Sequence, residues 1–394
     1  MQDTWHIISG EYPPREGGVS DYTVALSAAL AERGCSVHLW VRGFEMDSEC
    51  ITPNLTVHRC VGEFGRASLA NLGKRLANFQ GRRKILIQYV PHAYGFKAMN
   101  LGFAIWVRSR GRDHGDDVRI MFHEIAFPWV WWPIHHNLLA FVNRLMAWML
   151  IQSASRLYGS TSSWNRILLS LGAEASKIRL LPIPSNVPQA DAQEAAKMRA
   201  SILGADSQGK LVGHFGTYGK WVGSLLLPIL TELLRSRGDV HLLLIGDGSQ
   251  EFRVRILTEF PNCARRVTAT GRKELGEIAS LISSCDLMVQ PYRDGVNTRR
   301  GSLMACLING KAVITNLGQN SESGWDEDQL KLSEVDDVAK FVGDINSLLD
   351  CERKISDLGV RGQNYYLGNF RLEKTVEILL CPNFETKEHC VNAR

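Results

Sequence analysis

Strand-like apolar runs alternate with runs of helical period along nearly the whole chain. The alternation halts once, at Leu180-Leu-Pro-Ile-Pro-Ser-Asn-Val-Pro188, and then restarts. Few folds accept that pattern. Strands that each return through a helix must pair in parallel, and a parallel sheet covered by helices satisfies both periods at once. The first series places strands at His6–Ser9, Val37–Val41, Lys84–Val90, Val118–Phe122 and Arg156–Tyr158, in one open sheet. The second places them at Leu211–Phe215, Val240–Ile245, Val267–Ala269, Leu287–Val289 and Ala312–Thr315. The proline-rich stretch between the series suits a connection better than a regular element. A chain of 394 residues also exceeds what one core usually organises. The expected fold class is therefore α/β: two tandem Rossmann-like, doubly wound parallel-sheet domains, 1–185 and 186–370, with a ligand cleft between them. The tail, 371–394, has a helix-like run near Leu372–Leu380 that would dock back on the first domain.

Apolar residues at 45% and charged residues at 22% describe an ordinary globular protein and leave no room for a largely disordered or fibrous one. The net charge of +4 is unevenly spread: the first 185 residues are basic, the remainder slightly acidic. A basic half could meet an anionic partner such as a lipid headgroup, or be a solvated face with incidental bias. Nine scattered cysteines lack metal-binding or redox spacing and read as reduced thiols of a cytoplasmic protein. The start carries no secretory pattern, and the apolar region 137–151 is too short to span a bilayer, so it reads as a buried or interfacial helix.

The loop Gln290-Pro-Tyr-Arg-Asp-Gly-Val-Asn-Thr-Arg-Arg-Gly-Ser302 joins a strand to a helix, where α/β sheets bind anions. Helix N-terminal amides, close-approaching glycines and the guanidinium groups of Arg299 and Arg300 would hold a phosphate there. A solvated surface loop is the plain alternative. After the first strand, Gly17 and Gly18 leave bare backbone before a helix read as roughly Tyr22–Arg33 with Ser20 or Asp21 as its cap; they suit a ligand or a tight turn equally. His123-Glu124 would stand at the carboxyl edge of its sheet, as catalytic or as structural groups. The stretch Phe127-Pro-Trp-Val-Trp-Trp-Pro133 suits sugar stacking, a membrane interface or core packing. Gly246-Asp247-Gly248 and the glycine-spaced Gly213–Gly219 stand at two further helix entrances, where a ribose or base could approach, although sharp turns would use the same residues. The acidic stretch 322–337 reads as a solvated connection. Neither a nicotinamide-cofactor glycine spacing nor a P-loop is present.

Taken in order, Tyr12-Pro-Pro-Arg-Glu-Gly-Gly-Val-Ser-Asp21, His123-Glu124, Gly246-Asp-Gly248 and 286–315, ending in Gly310-Lys-Ala-Val-Ile314, resemble the retaining, family-four glycosyltransferases of GT-B fold. The resemblance covers nearly the whole chain. It implies a sugar moved from a nucleotide-sugar donor, UDP- or GDP-sugar foremost, to a hydroxyl acceptor with retention. Polysaccharide, glycolipid and natural-product glycoside synthesis all fit. Glu11, Tyr12, Asp21, Glu124 and Trp129 would meet a glycan, lipid-linked or small-molecule acceptor. Gly17, Gly18, Gly216, Thr217, Gly246, Asp247, Gly248, Gly271, Asp294, Asn297, Thr298 and Ser302 would meet the donor. His123 would hydrogen-bond the donor sugar, and Arg299 and Arg300 would stabilise the leaving diphosphate. The resemblance implies no metal, no cofactor beyond the nucleotide sugar as co-substrate and no nucleic acid, with peripheral contact at the inner face of a membrane as an option. The chain departs from the family at the paired glutamates, whose places fall on Asn297 and Ala305. Clear counterparts of the usual Arg and Lys between Phe215 and Val222 are also lacking. A variant subgroup accommodates both departures; a noncatalytic partner subunit and a sugar-nucleotide epimerase are the rival readings.

Overall fold

The computed structural model describes residues 3–15, 17–43, 47–131, 136–204 and 208–382. Glu16, Trp132, Pro133, Cys390 and the tail beyond 382, all touched by the sequence reading, lie outside the described residues. The chain divides into two compact units, one of residues 1–183 with 372–394 and one of residues 184–371.

The first unit carries an eight-stranded sheet: β1 Thr4–Ser9, β2 Ser36–Val41, β3 Asp47–Thr52, β4 Leu55–Arg59, β5 Lys84–Tyr89, β6 Asp117–Phe122, β7 Arg156–Gly159 and β8 Ile178–Leu180. Their order is β3-β4-β2-β1-β5-β6-β7-β8, parallel throughout except for the antiparallel β3–β4 edge. The helices are α1 Gly18–Glu32, α2 Arg66–Ala77, α3 Leu101–Arg112, α4 His136–Ile151 and α5 Ser162–Ser170. Central strands are sealed on both faces, as the near-continuous apolar runs require: Trp5, Ile7 and Ile8 of β1 and Leu86 and Ile87 of β5 are all fully buried.

Three strands of this sheet escaped the sequence reading. β3, with the sequence DSECIT, has no apolar period because it is an edge strand, and β4 and β8 are short. The proline-rich stretch assigned to a connection therefore begins inside β8. Helix α1 also starts earlier than read. Its N-cap is Gly17, at φ 155°, so Ser20 and Asp21 sit inside the first turn and no side chain caps the helix amides. A glycine can reach that backbone angle at little steric cost.

The second unit holds β9 Lys210–Phe215, β10 Val240–Ile245, β11 Val267–Ala269, β12 Leu287–Val289, β13 Ala312–Thr315 and β14 Lys331–Leu332, all parallel, in the order β11-β10-β9-β12-β13-β14. Its helices are α6 Ala192–Leu203, α7 Lys220–Ser236, α8 Ser249–Glu259, α9 Leu275–Ser284, α10 Gly301–Ile308, α11 Val338–Leu349 and α12 Glu352–Asn369. The acidic stretch expected to be a solvated connection is not one. Glu322, Trp325 and Leu330 within it are buried, and it contains β14.

The last helix, α13 Leu372–Leu380, packs on α1 in the first unit. Its open carbonyls are satisfied by arginines of the sheet: Arg119 Nη1 donates to Leu379 O at 2.8 Å, and Arg156 donates to Cys381 O and Pro382 O at 2.7 Å each. Cations at a helix C-terminus suit both the orphan carbonyls and the dipole.

Candidate functional site

In a doubly wound sheet the ligand crevice opens where strand order reverses, because the two flanking loops there run to opposite faces. Both units have such a point. In the first it lies between β1 and β5, in the second between β9 and β12.

In the second unit, α7 begins directly after the β9 loop and presents an exposed Trp221, over whose ring the Arg293 guanidinium from the β12 loop stands at 3.9 Å. Neither residue was among the site candidates. Arg293 lies inside the loop singled out, and the signal that would have found Trp221 is its place one residue after Lys220 at a helix entrance. Arg299 is exposed beside the N-terminus of α10, where no side chain caps the first amides. Arg300, expected to act like Arg299, is held instead: its guanidinium pairs with Asp294 and packs over the Tyr292 ring at 4.6 Å. Burial raises the pKa of Asp294, but the Asn320 amide and Arg300 outweigh it and keep the carboxyl below the usual carboxylate range.

Much of the rest of the predicted phosphate loop is scaffold. Asn297 is buried and accepts the Arg299 N–H at 3.1 Å, and Ser302 shares a hydrogen bond with Tyr292 at 2.9 Å. Thr298 donates both its N–H and its hydroxyl to the buried Glu322, at 2.7 and 3.1 Å. Glu322 was missed because its segment reads as solvated. Gly295, at φ +87°, is required here, since a Cβ would lie 2.2 Å from Ser321 Oγ and 2.3 Å from Gly318 N. Ala305, at the second missing glutamate position, is fully buried within α10.

The remaining donor candidates of the second unit gather at the carboxyl ends of β9, β10 and β11, whereas Gly17 and Gly18 lie in the first unit. Gly246 bridges to Gly271, and a Cβ on Gly246 would stand 2.2 Å from Gly216 O. The Tyr218 N–H donates to Asp247 O, drawing the two loops together, while the side chains of Thr217 and Asp247 are exposed; Gly248 caps α8 with left-handed geometry.

In the first unit the β1 and β5 loops touch so closely that a Cβ on Gly10 would fall 2.1 Å from Ala93 O. Across that junction His92 Nε2 hydrogen-bonds Glu11 Oε1 at 2.9 Å, and His92 Nδ1 lies 3.9 Å from Glu124 Oε2. Glu11 and Glu124 are thus brought together around an imidazole that the sequence reading passed over, although it follows a predicted strand directly. Tyr12 lies under Arg59, 5.3 Å from its ring. Gly17 and Gly18 head α1, with open space around Gly18 and Asp21 exposed in the first turn. His123 is only 2% exposed; its Nε2 bonds Gln88 Oε1 at 2.7 Å and Tyr22 meets it edge-on at 5.1 Å. Trp129 is exposed under Arg144 of α4, at 4.6 Å, which removes core packing as its role. Among the described residues no three His, Cys, Asp or Glu side chains are grouped to hold a metal ion.

Residues 209–351 match the family described as "Glycosyl transferases group 1". No curated protein sequence matches the chain significantly. Among solved structures the chain is similar to sucrose-phosphate synthase from Thermosynechococcus elongatus, at 16% identity and a TM-score of 0.70, covering 96% of this chain and 97% of that one. It is similar to HepE of Anabaena, solved with UDP and glucose, at 15% identity and a TM-score of 0.66, covering 96% and 98%. It is also similar to α,α-trehalose 6-phosphate synthase from Burkholderia multivorans, at 14% identity and a TM-score of 0.66, covering 96% and 95%. These likenesses establish the GT-B fold.

Proposed function

We propose, from the GT-B fold and from the match of residues 209–351 to the group 1 glycosyltransferases, the family-four type that the sequence resembles, that the chain moves a hexosyl group from a UDP-sugar to a hydroxyl acceptor with retention, without a metal ion. A GDP-sugar is the alternative donor. The observation that carries this reading is the cationic edge at the β9/β12 reversal, where Arg293 stacks on Trp221 at the start of α7 and Arg299 stands beside the uncapped start of α10. The structures of HepE with UDP and with UDP-glucose support a uridine diphosphate donor.

In the proposed step the bond from the anomeric carbon to the diphosphate oxygen breaks while the acceptor oxygen bonds the same face of that carbon. The acceptor proton passes to a donor phosphate oxygen, and the nucleoside diphosphate leaves. Negative charge grows on the diphosphate, and Arg299, Arg293 and the α10 amides stabilise that growth more than the ground state. Asp294 fixes Arg300, and Glu322 fixes Thr298, so the loop is organised before the donor arrives. Glu11, His92 and Glu124 hold the acceptor, a glycan, lipid-linked or small-molecule hydroxyl compound.

One observation favours the noncatalytic partner reading: Asn297 and Ala305 are built into the structure where the family carries glutamates. A turnover and thermal-shift screen with UDP-, GDP-, dTDP- and ADP-sugars in the presence of EDTA separates the two. Slow hydrolysis of a preferred UDP-sugar is expected; a thermal shift without turnover would favour the partner subunit.

A further inference from the structure

Helix α4 is apolar nearly all round, yet only half of it is covered. Ala140, Asn143, Ala147 and Leu150 face the core, while Leu138, Phe141, Leu145 and Trp148, spaced three and four residues apart, form a second stripe open to solvent. A helix with apolar residues on both faces normally has both faces covered. The stripe is extended by Ile105 of the neighbouring α3, 57% exposed, and by the loop before α4, where Trp131 is 97% exposed. Isolated exposed apolar residues are ordinary; a contiguous stripe carrying two or more tryptophans is not.

On helices α2, α3 and α4 themselves the charge has one sign, with Asp113 following at the C-cap of α3. From Phe64 to Arg112 the sequence holds ten Lys and Arg and neither Asp nor Glu, and from Ile125 to Ala173 it again holds no acid. Helices α2, α3 and α4 lie within these stretches and pack in succession. Lys74 and Arg66 of α2 and Arg112 of α3 are exposed, and Arg108 of α3 stands over Trp148 at 6.0 Å. Arg110 is turned inward onto Asp116. The basic excess of the first half of the chain is thus concentrated on the helices that carry the bare apolar stripe. Amphipathic aromatic rings on helices that carry cations and no acids match the interface of an anionic bilayer, where rings sit at headgroup depth and cations meet lipid phosphates. No helix among the described residues is long and apolar enough to cross a membrane, so any contact through α4 lies along the surface.

We propose that the α3–α4 face docks the protein on anionic lipid bilayers. Docking stands on the surface alone; only its use, presenting a lipid-linked acceptor, rests on the transferase reading. The test is flotation of the full chain with phosphatidylcholine vesicles with and without 30% phosphatidylglycerol, alongside Trp131→Ser/Phe141→Ser and Lys74→Glu/Arg112→Glu variants. All four positions are exposed, so melting temperature and donor hydrolysis in solution should stay unchanged. Expected are binding to the anionic vesicles, at least about tenfold weaker binding without anionic lipid or in 0.5 M salt, and a similar loss in each variant. Equal recovery of all proteins with both vesicles would overturn the proposal. So would sedimentation as a dimer that Trp131→Ser/Phe141→Ser converts to monomer, since the stripe would then be covered by a second copy. Donor hydrolysis on the same samples reports on the transferase reading independently of vesicle binding.

Discussion

The strand-order reversals of the two units are bridged by opposite chemistries. Across β1 and β5 a carboxylate meets an imidazole, Glu11 with His92, with Glu124 on the far side of the ring. Arg42 nearby is turned onto Ala93 O and Glu63, and Arg59 onto Pro13 O. Across β9 and β12 a guanidinium meets an indole, Arg293 with Trp221, with Arg299 exposed further along the same loop. The same topology therefore offers hydrogen-bonding groups of acidic character at one edge and cations at the other. A nucleoside diphosphate would be attracted to the second and repelled by the first, whereas sugar hydroxyls pair well with carboxylates. We propose that the two halves divide the work between donor and acceptor through this difference in charge.

The largest expected effect comes from the cationic edge. Arg299→Ala should raise the barrier by roughly 2–4 kcal/mol, on the order of 30- to 10³-fold in kcat, with the melting temperature kept. Steady-state kinetics with the preferred donor checks it, and Arg300→Ala should differ in kind, lowering stability as the Asp294 pairing is lost.

A second contrast lies beneath the sheets. In the first unit burial lowers the pKa of His6 to about 3 and of His58 to about 4, and lowers that of His38, whose Nδ1 lies 3.1 Å from His58 Nε2. In the second unit burial lowers His214 to about 3. These imidazoles stay neutral when folded and take up protons when unfolded, so their stabilisation is complete above pH 6.5 and lost as pH falls towards 4. His6 and His214 each cost about 1.4 kcal/mol per pH unit in that window, and His58 and His38 add to the first unit's loss in the same direction. The first unit should therefore yield first on acidification. Hydrogen exchange at pH 6.5 and 5, comparing β1, β2 and β4 with β9, reads this directly; equal loss of protection would erase the contrast.

Smaller effects follow. Glu322→Ala leaves two buried Thr298 donors without their acceptor and should cost about 1–3 kcal/mol of stability in denaturant titration, with donor affinity falling as the loop loosens. His92→Ala should raise the acceptor KM about tenfold, worth about 1.4 kcal/mol, while leaving acceptor-free donor hydrolysis unchanged. A loss of hydrolysis in that variant would blur the division between the edges.

The alternation of apolar runs was enough to read ten strands because buried parallel strands cannot hide their composition; Val240–Ile245 and Ala312–Thr315 were legible to the residue. Edge strand β3 was not, since a strand with a solvated side needs no apolar run. The loop before α10 was legible as a site but not in its parts. Which of Arg293, Arg299 and Arg300 stays exposed depends on Asp294 and Asn320, and which acid braces Thr298 depends on a segment beyond β13. Those are tertiary facts. His92 and Trp221 were missed for a related reason: strand order, which sequence does not spell out, decides which loops face each other at a reversal.

Calorimetric titration of UDP into the wild-type protein, Arg293→Ala/Arg299→Ala and His92→Ala tests the division most directly. UDP should bind the wild type and His92→Ala alike and bind the double arginine variant at least about tenfold more weakly. Undiminished binding in the arginine variant together with loss in His92→Ala would place the nucleotide at the other edge and contradict the account.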